Sequence, residues 1–144
     1  MSLRYVAFAV GSTRYCLLIS EVQQIVRHEN VTEVPQAPRF VEGVMNLRGE
    51  VIPVIGMRLR LGVSGGELPR KSRVIIVDVG GRPYGLHVDD VREIVEVEEE
   101  SLATGNMDLI NADAEFVRGI ARVGDQAFIV LNLQKLLAGS AARG

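Results

Sequence analysis

Several residue types that mark particular protein classes are scarce in this sequence. Its 144 residues include one cysteine, Cys16, which excludes an internal disulfide and a multi-cysteine zinc site. No apolar run approaches the length of a membrane span, and the N-terminus lacks the pattern of a signal peptide. With no tryptophan and a net charge of −2, the chain lacks the basic, aromatic surface that nucleic acid requires. We therefore expect a soluble, cytoplasmic protein that neither binds nucleic acid nor inserts into a membrane.

Groups that perform catalysis are equally scarce. The two histidines, His28 and His87, have no metal-ligand partner at a useful spacing, and a structural role is favoured for His87 within its apolar strand. Asp89 and Asp90 are the best carboxylate pair, but adjacent residues diverge at a helix start, and capping explains them. No Ser, Cys or Thr stands in a nucleophile motif. The sequence predicts no enzyme, no cofactor and no metal.

The sequence does have enough apolar material for a core, since 47% of its residues are hydrophobic. Short β-branched runs joined by Gly-containing turns predict strands at 4–10, 15–19, 73–79, 84–88, 116–123 and 127–133. Helical spacing after a capping residue predicts short helices at 20–28 and 89–95, and a final helical turn at 134–137. The poorly periodic segment 101–114 is predicted to be a loop.

The stretch 40–62 organises the chain. Two apolar runs flank the polar turn 46–50, which predicts a hairpin. Pro53 lies in the second run, so that strand is expected to be an edge or to bulge there. A guanidinium beside a strand edge, Arg48, favours recognition over reaction. A solvated turn residue is an equally compatible interpretation.

The chain also repeats itself. RYVAFAVGSTRYCLLISEVQQIV aligns without a gap on RVIIVDVGGRPYGLHVDDVREIV, with Arg4 on Arg73. Further on, FVEGV aligns on FVRGI, with Phe40 on Phe116. The repeat predicts two similar units of about five strands each, the number that a small closed barrel needs. Units of this size are marginal alone, so we expect them to share a core.

These segments resemble the CheW family of bacterial chemotaxis coupling proteins over nearly the full chain. The most specific match is VTEVPQAPRFVEGVMNLRGEVIPVIGMRLRLG. The resemblance implies a mainly β fold of two intertwined five-stranded SH3-like β-barrels with short helices. It implies one CheW-like domain over 1–144, with a first subdomain at 15–72, a second at 1–14 and 73–144, and strand exchange between them. It further implies a non-catalytic adaptor that joins the cytoplasmic tip of a chemoreceptor to the regulatory domain of the histidine kinase CheA.

The resemblance also implies two contact surfaces. The receptor-binding residues would be Ile19, Val22, Gln24, Ile25, Gly43, Asn46 and Arg48. The kinase-binding residues would be Gly85, Val91 and Ile94. Buried aliphatic side chains are the general rule, so an interior position is favoured over a contact role for the three isoleucines.

Three departures from the family pattern bear on the choice of partner. Gly56 stands where the family often has Asp after the Pro-Val-Ile run, Leu18 where the first turn often has Asp, and Gln24 where a Glu is common. Lost surface acids alter partner choice more than fold. The alternatives are therefore a coupling protein of a divergent pathway, such as one governing surface motility, or a small-ligand regulatory module in which Arg48 binds an anion.

Overall fold

The computed structural model describes residues 2–63, 68–98 and 116–138. Its strands are β1 (Ser2–Val10), β2 (Thr13–Leu18), β3 (Val22–Arg27), β4 (Val41–Leu47), β5 (Glu50–Gly56), β6 (Arg73–Val79), β7 (Arg82–Val88), β8 (Asp90–Glu98), β9 (Val117–Val123) and β10 (Gln126–Leu131). Its helices are α1 (Met57–Arg60) and α2 (Leu133–Leu136), and a 3-10 turn covers Ile19–Glu21. The predicted mainly β fold with short helices is confirmed. The predicted loop at 101–114 lies outside the described residues.

The strands form two five-stranded sheets. The first has the order β8-β1-β2-β10-β9 and the second β3-β6-β7-β5-β4. The outer strands β8 and β9 of the first sheet contact each other, which closes that sheet. In the second sheet, paired backbone hydrogen bonds of 2.8 Å between Thr32 and Val44 join the segment after β3 to the opposite edge strand, β4. Both sheets therefore curl into barrels.

The division of the chain between the sheets differs from the expected subdomain ranges, 15–72 against 1–14 with 73–144. The second sheet takes its strands from residues 22–88, and the first from residues 2–18 and 90–131. The boundaries move because the first two strands of each repeat pair with the last three of the other. The β1–β2 hairpin pairs with β8 and β10, whereas the β6–β7 hairpin pairs with β3 and β5.

Three apolar clusters fill the molecule. One lies in the first barrel around Tyr5, Cys16 and Phe128, and another in the second barrel around Ile52 and Val74. The third and largest cluster draws buried side chains from both sheets, including Phe8, Leu17, Ile55, Leu86 and Leu131. Full burial of such a side chain contributes about 1.5 to 3 kcal/mol. The shared core confirms that the two units are packed together.

An arginine stacks between the two repeats. The guanidinium of Arg60 lies 4.1 Å from the centroid of the Phe40 ring and 4.5 Å from that of Phe116, the equivalent residue of the other repeat. Its Nε donates to the carbonyl oxygen of Leu136 at 2.6 Å, and its Nη2 donates to that of Ala138 at 3.2 Å. Arg60 therefore satisfies carbonyl groups at the end of α2 while contacting both repeats.

The two segments predicted as helices are strands. Residues 20–28 hold part of the 3-10 turn and β3, and residues 89–95 lie mostly in β8. Over so few residues the spacing in VQQIV fits a helical repeat and a strand alternation alike. Pairing with β6 decides for the strand, and the β3 side chains alternate between half-buried and exposed. The predicted turn at 134–137 is α2, which begins one residue earlier. Neither helix of the described ranges is long and apolar enough to span a membrane.

Candidate functional site

Arg48 lies at the tip of the β4–β5 hairpin, where it is exposed. Leu47 pairs with Glu50, so Arg48 and Gly49 form a two-residue turn in which both have positive φ, 54° and 83°. These values define a type I′ turn. The amide of Gly49 donates to Oδ1 of Asn46 at 3.1 Å, so Asn46 holds the turn from within. The predicted hairpin is confirmed. Its exposed arginine, Arg48, has a left-handed backbone conformation that is unfavourable for a residue other than glycine.

The position of Pro53 differs from its expected edge strand. The strand β5 has neighbours on both sides, β4 and β7. Pro53 pairs with Val44, while the ladder with β7 begins only at Val54. A residue without an amide hydrogen is tolerated there because the β7 side of the strand requires no donor at that position.

Substitution of Arg48 separates binding from folding. We expect Arg48→Ala to change the free energy of unfolding by no more than about 0.5 kcal/mol, because its side chain is exposed. Arg48→Asn should stabilise the protein by several tenths of a kcal/mol, because Asn tolerates positive φ better than Arg. Chemical denaturation of the three proteins measures both effects. A loss above 2 kcal/mol in Arg48→Ala would show that the guanidinium supports the fold.

The predicted receptor-binding residues on β3 divide between two faces. Ile25 is 41% exposed and Ile19, in the preceding 3-10 turn, is 39% exposed. Their favoured interior position is therefore wrong, because β3 is an edge strand with this face turned to solvent. Val22 packs partly against the shared core, and Gln24 is half-buried. The exposed apolar surface of this edge thus consists of Ile19 and Ile25, which we name the β3 surface.

The predicted kinase-binding residues divide in the same way. Ile94 is 58% exposed on β8, the edge strand of the first sheet, so its favoured interior position is also wrong. We name this exposed position of β8 the β8 surface. Val91 packs partly against the shared core. Gly85 is buried in the central strand β7, where a Cβ would lie 2.7 Å from Cγ1 of Val74. Gly85 therefore has a packing role, and its kinase-binding role stays a prediction.

Gly43 is likewise an interior residue, and its receptor-binding role stays a prediction. It is buried in β4, and a Cβ at this position would overlap the carbonyl oxygen of Thr32. That oxygen accepts the 2.8 Å hydrogen bond from Val44 which closes the second barrel. The missing side chain of Gly43 therefore allows the closing segment to approach β4.

A partly buried ion pair that the sequence reasoning missed joins the two sheets. Nε and Nη2 of Arg58, on α1, donate to Oδ1 and Oδ2 of Asp89 at 3.0 and 2.6 Å. The amide of Gly11, in the β1–β2 turn, donates to Oδ2 of Asp89 at 3.0 Å. Burial alone would raise the pKa of Asp89, but the hydrogen bonds from Arg58 and Gly11 outweigh it and lower that pKa. Asp89, read as a helix cap, is instead a link between the barrels.

The structure also brings the two histidines together at one carboxylate. His28 and His87 each contact one oxygen of Glu42 at 2.8 Å, and their rings stack with centroids 3.8 Å apart. The expectation that neither histidine has a metal-ligand partner rested on sequence spacing and does not hold in three dimensions. Little in the sequence indicated that Glu42 would join the two histidines, since it is one of many acidic residues in the chain. The closure of the second barrel makes this cluster.

The fold and its two exposed edge strands define the class of β-barrel binding modules. The chain belongs to the CheW-like domain family, whose model matches residues 4–141. This is a family of chemotaxis scaffolding and coupling proteins.

Individual relatives agree with this family. The crystal structure of the scaffolding protein TtCheW from Thermoanaerobacter tengcongensis matches with a TM-score of 0.90 and 35% identity, and covers 96% of this chain and 94% of that chain. The chemotaxis protein CheW of Klebsiella aerogenes is 28% identical over 134 residues, 93% of this chain and 81% of that protein. Protein FrzA of Myxococcus xanthus is 25% identical over 135 residues, 92% of this chain and 84% of that protein.

Proposed function

We propose that this protein is a non-catalytic adaptor in the cytoplasm, which couples the cytoplasmic tips of chemoreceptors to the regulatory domain of the histidine kinase CheA. One observation carries the proposal. Ile25 and Ile94 occupy the same position of the two repeats, and both are exposed on edge strands, one on each sheet. One rigid body thus presents two separate apolar surfaces, as an adaptor between two different partners requires.

The chemistry of each surface suits a protein partner. An exposed edge strand offers unpaired backbone groups, and an aliphatic side chain beside them supplies buried area on binding. The β3 surface would bind the receptor, with Arg48 providing a charged contact from the hairpin tip. The β8 surface would bind the kinase, with Arg92 and Glu96, also exposed, as polar neighbours of Ile94. Modest interfaces of this kind gain strength when many copies assemble in an array.

The two surfaces are tested by one charge substitution on each. We expect Ile25→Asp to weaken receptor binding at least about tenfold and leave kinase binding intact, because a desolvated carboxylate costs more than the lost aliphatic contact. Ile94→Asp should have the opposite pattern. Co-sedimentation with receptor tips, with and without CheA, measures both, and Leu59→Asp, at a 49% exposed position on α1, is the matched control. Equal loss of both partners in each variant would overturn the assignment of surfaces, and binding of neither partner by the wild type would overturn the adaptor.

A coupling protein of a divergent chemosensory pathway is the second candidate. Similarity to Protein FrzA supports it, as does the absence of a carboxylate at Leu18, Gln24 and Gly56. Both candidates use the same two surfaces. They are distinguished by which receptor and kinase pair the protein activates in a reconstituted phosphorylation assay.

A further inference from the structure

The His28, Glu42 and His87 side chains form a cluster at the place where the second barrel closes. His28 follows the end of β3, Glu42 lies on β4, and His87 lies near the end of β7. The strands β3 and β4 are the two edges of this sheet and are not hydrogen-bonded to each other along their length. The cluster therefore bridges a seam that the backbone closes only through Thr32 and Val44.

The donor atoms of the cluster match those of a transition-metal site. One nitrogen of each histidine and the carboxylate oxygens of Glu42 lie within 4.8 Å of one another. Nε2 of His28 and Nδ1 of His87 both point at the same carboxylate, each 2.8 Å from one of its oxygens. Two imidazoles and one carboxylate are the protein ligands of many zinc sites that keep a fourth position for water or another small ligand.

A hydroxyl orients the buried histidine. Nε2 of His87 lies 3.1 Å from Oγ of Ser72, so the nitrogen that faces away from Glu42 has its own partner. Ser72 can accept a hydrogen bond from Nε2–H, and in the tautomer with the proton on Nε2 the other nitrogen, Nδ1, is free to bind a metal. His87 is only 4% exposed, which holds its ring in place. The arrangement is thus preorganised on the side of His87.

The cluster has space for its carboxylate and a path to solvent. A Cβ on Gly56 would lie 2.9 Å from Oε2 of Glu42, so the missing side chain there leaves room for the carboxylate. On the other side, His28 lines a cavity of about 410 Å³ together with Ser72, the acidic Glu29 and three basic residues, Arg27, Arg70 and Arg73. An ion can therefore reach His28 from solvent. The guanidinium groups repel a cation, so we expect an affinity in the micromolar range rather than tighter.

We propose that His28, Glu42 and His87 bind one Zn²⁺ ion, which joins β3, β4 and β7 across the seam. Zn²⁺ binds through the lone pairs of the two ring nitrogens and a carboxylate oxygen of Glu42, in place of the direct contacts of the two rings with Glu42. The stacked rings tilt apart so that both nitrogens face one ion at about 2.0 to 2.1 Å. Cys16 does not compete for this ion, because it is buried in the other barrel and burial raises the pKa of its thiol to about 12.

Calorimetric titration of the tag-free protein with Zn²⁺ tests the site, since these are the only two histidines of the chain. We expect one ion per chain and a higher melting temperature, because an ion bound only by the folded state stabilises it. His28→Ala and Glu42→Gln should each weaken binding by more than about 100-fold, and Ser72→Ala by about tenfold. Neither variant replaces the buried His87, whose loss could unfold the protein. His28 is half-exposed, and Glu42→Gln is an isosteric change. Glu93→Gln, at an exposed position on β8 of the other sheet, is the control that retains binding.

Co²⁺ gives an independent readout. Its visible absorption in the wild type should report a four-coordinate nitrogen and oxygen site, and this signal should disappear in both ligand variants. Absence of Zn²⁺ binding at neutral pH would overturn the proposal. Binding of undiminished affinity in both His28→Ala and Glu42→Gln would overturn it equally, because the ion would then lie elsewhere. The test requires no receptor or kinase, so its outcome is independent of the adaptor function.

Discussion

Replacement of Asp89 by alanine is expected to lower the free energy of unfolding by about 1.5 to 3 kcal/mol, the contribution of hydrogen bonds to a charged group at a partly buried position. Asp89 is 6% exposed and accepts hydrogen bonds from Arg58 and from the amide of Gly11. Without it, the Arg58 guanidinium loses the two hydrogen bonds to Asp89, and the Gly11 amide loses the carboxylate that it donates to, at the junction of the two sheets. Urea denaturation of the wild type and the variant measures the difference. A loss below 1 kcal/mol would show that the pair contributes little beyond its own desolvation.

Two comparisons isolate the ion pair. Asp90→Ala is the matched control, because Asp90 contacts Lys71 and Arg92 at 3.5 and 3.3 Å on the surface and should cost no more than about 1 kcal/mol. In the double variant Asp89→Ala with Arg58→Met, the two substitutions should cost less than the sum of the single variants, since both remove the same pair of hydrogen bonds. A double variant as unstable as the sum of both single variants would contradict a direct interaction between the two side chains.

The same pair gives a defined pH dependence. The folded-state pKa of Asp89 is lowered, since the Arg58 and Gly11 hydrogen bonds outweigh the effect of burial. Its contribution is therefore fully present above the unfolded pKa of about 3.9 and is lost as the pH falls through the lower folded value. We expect the stability difference between wild type and Asp89→Ala to be constant near neutral pH and to shrink below about pH 4.

Gly43→Ala is expected to lower the free energy of unfolding by about 2 to 4 kcal/mol, because the new Cβ would overlap the carbonyl oxygen of Thr32. The segment carrying Thr32 would have to move, and its two hydrogen bonds with Val44 would be lost. Amide hydrogen exchange at Val44 and chemical denaturation measure the local and the global effect. Receptor binding should fall as a consequence of this displacement, without loss of any direct contact.

Gly124→Ala is the control for Gly43→Ala, because it measures the cost of backbone conformation without a steric overlap. Gly124 has a φ of 61° in the β9–β10 turn, and a Cβ there would meet no heavy atom within 4 Å. Gly124→Ala should therefore cost only about 1 to 2 kcal/mol, the ordinary penalty of the left-handed region. Unchanged protection of Val44 in Gly43→Ala would contradict the assigned role of Gly43 and return it to the set of contact residues.

The strands and the internal repeat could be predicted from the sequence, whereas the third strand of each repeat could not. Apolar runs rich in β-branched residues, such as RVIIVDV, predict a strand and nothing else. In VQQIV and VREIV the aliphatic residues fit a helix and a strand equally well, and the choice depends on a partner strand distant in sequence. Pairing of Ile25 with Ile75 and of Ile94 with Val6 settles it. Local spacing carries no information about those pairs.

The two candidate surfaces were partly predictable, but the polar links were not. Ile19, Ile25 and Ile94 were singled out as contact candidates by resemblance, and that role stays a prediction, while their exposure required knowledge of the sheet edges. Gly43 and Gly85 carry packing constraints that only the neighbouring backbone and side chains reveal. The pair of Arg58 with Asp89 and the cluster at Glu42 join residues far apart in sequence, which barrel closure alone brings together.

The exchange of strands between the repeats decides when this chain can fold during its synthesis. Tyr15 of β2 pairs with Ile129 of β10, so the first sheet cannot be completed until almost the whole chain has left the ribosome. Until then the apolar side chains of β1 and β2, among them Phe8 and Leu17, lack the part of the shared core that β10 and α2 supply, including Leu131 and Leu136. Pairings of such long range form slowly and leave edges open to aggregation. A nascent chain stalled before β10 is accordingly a natural client of chaperones and proteases.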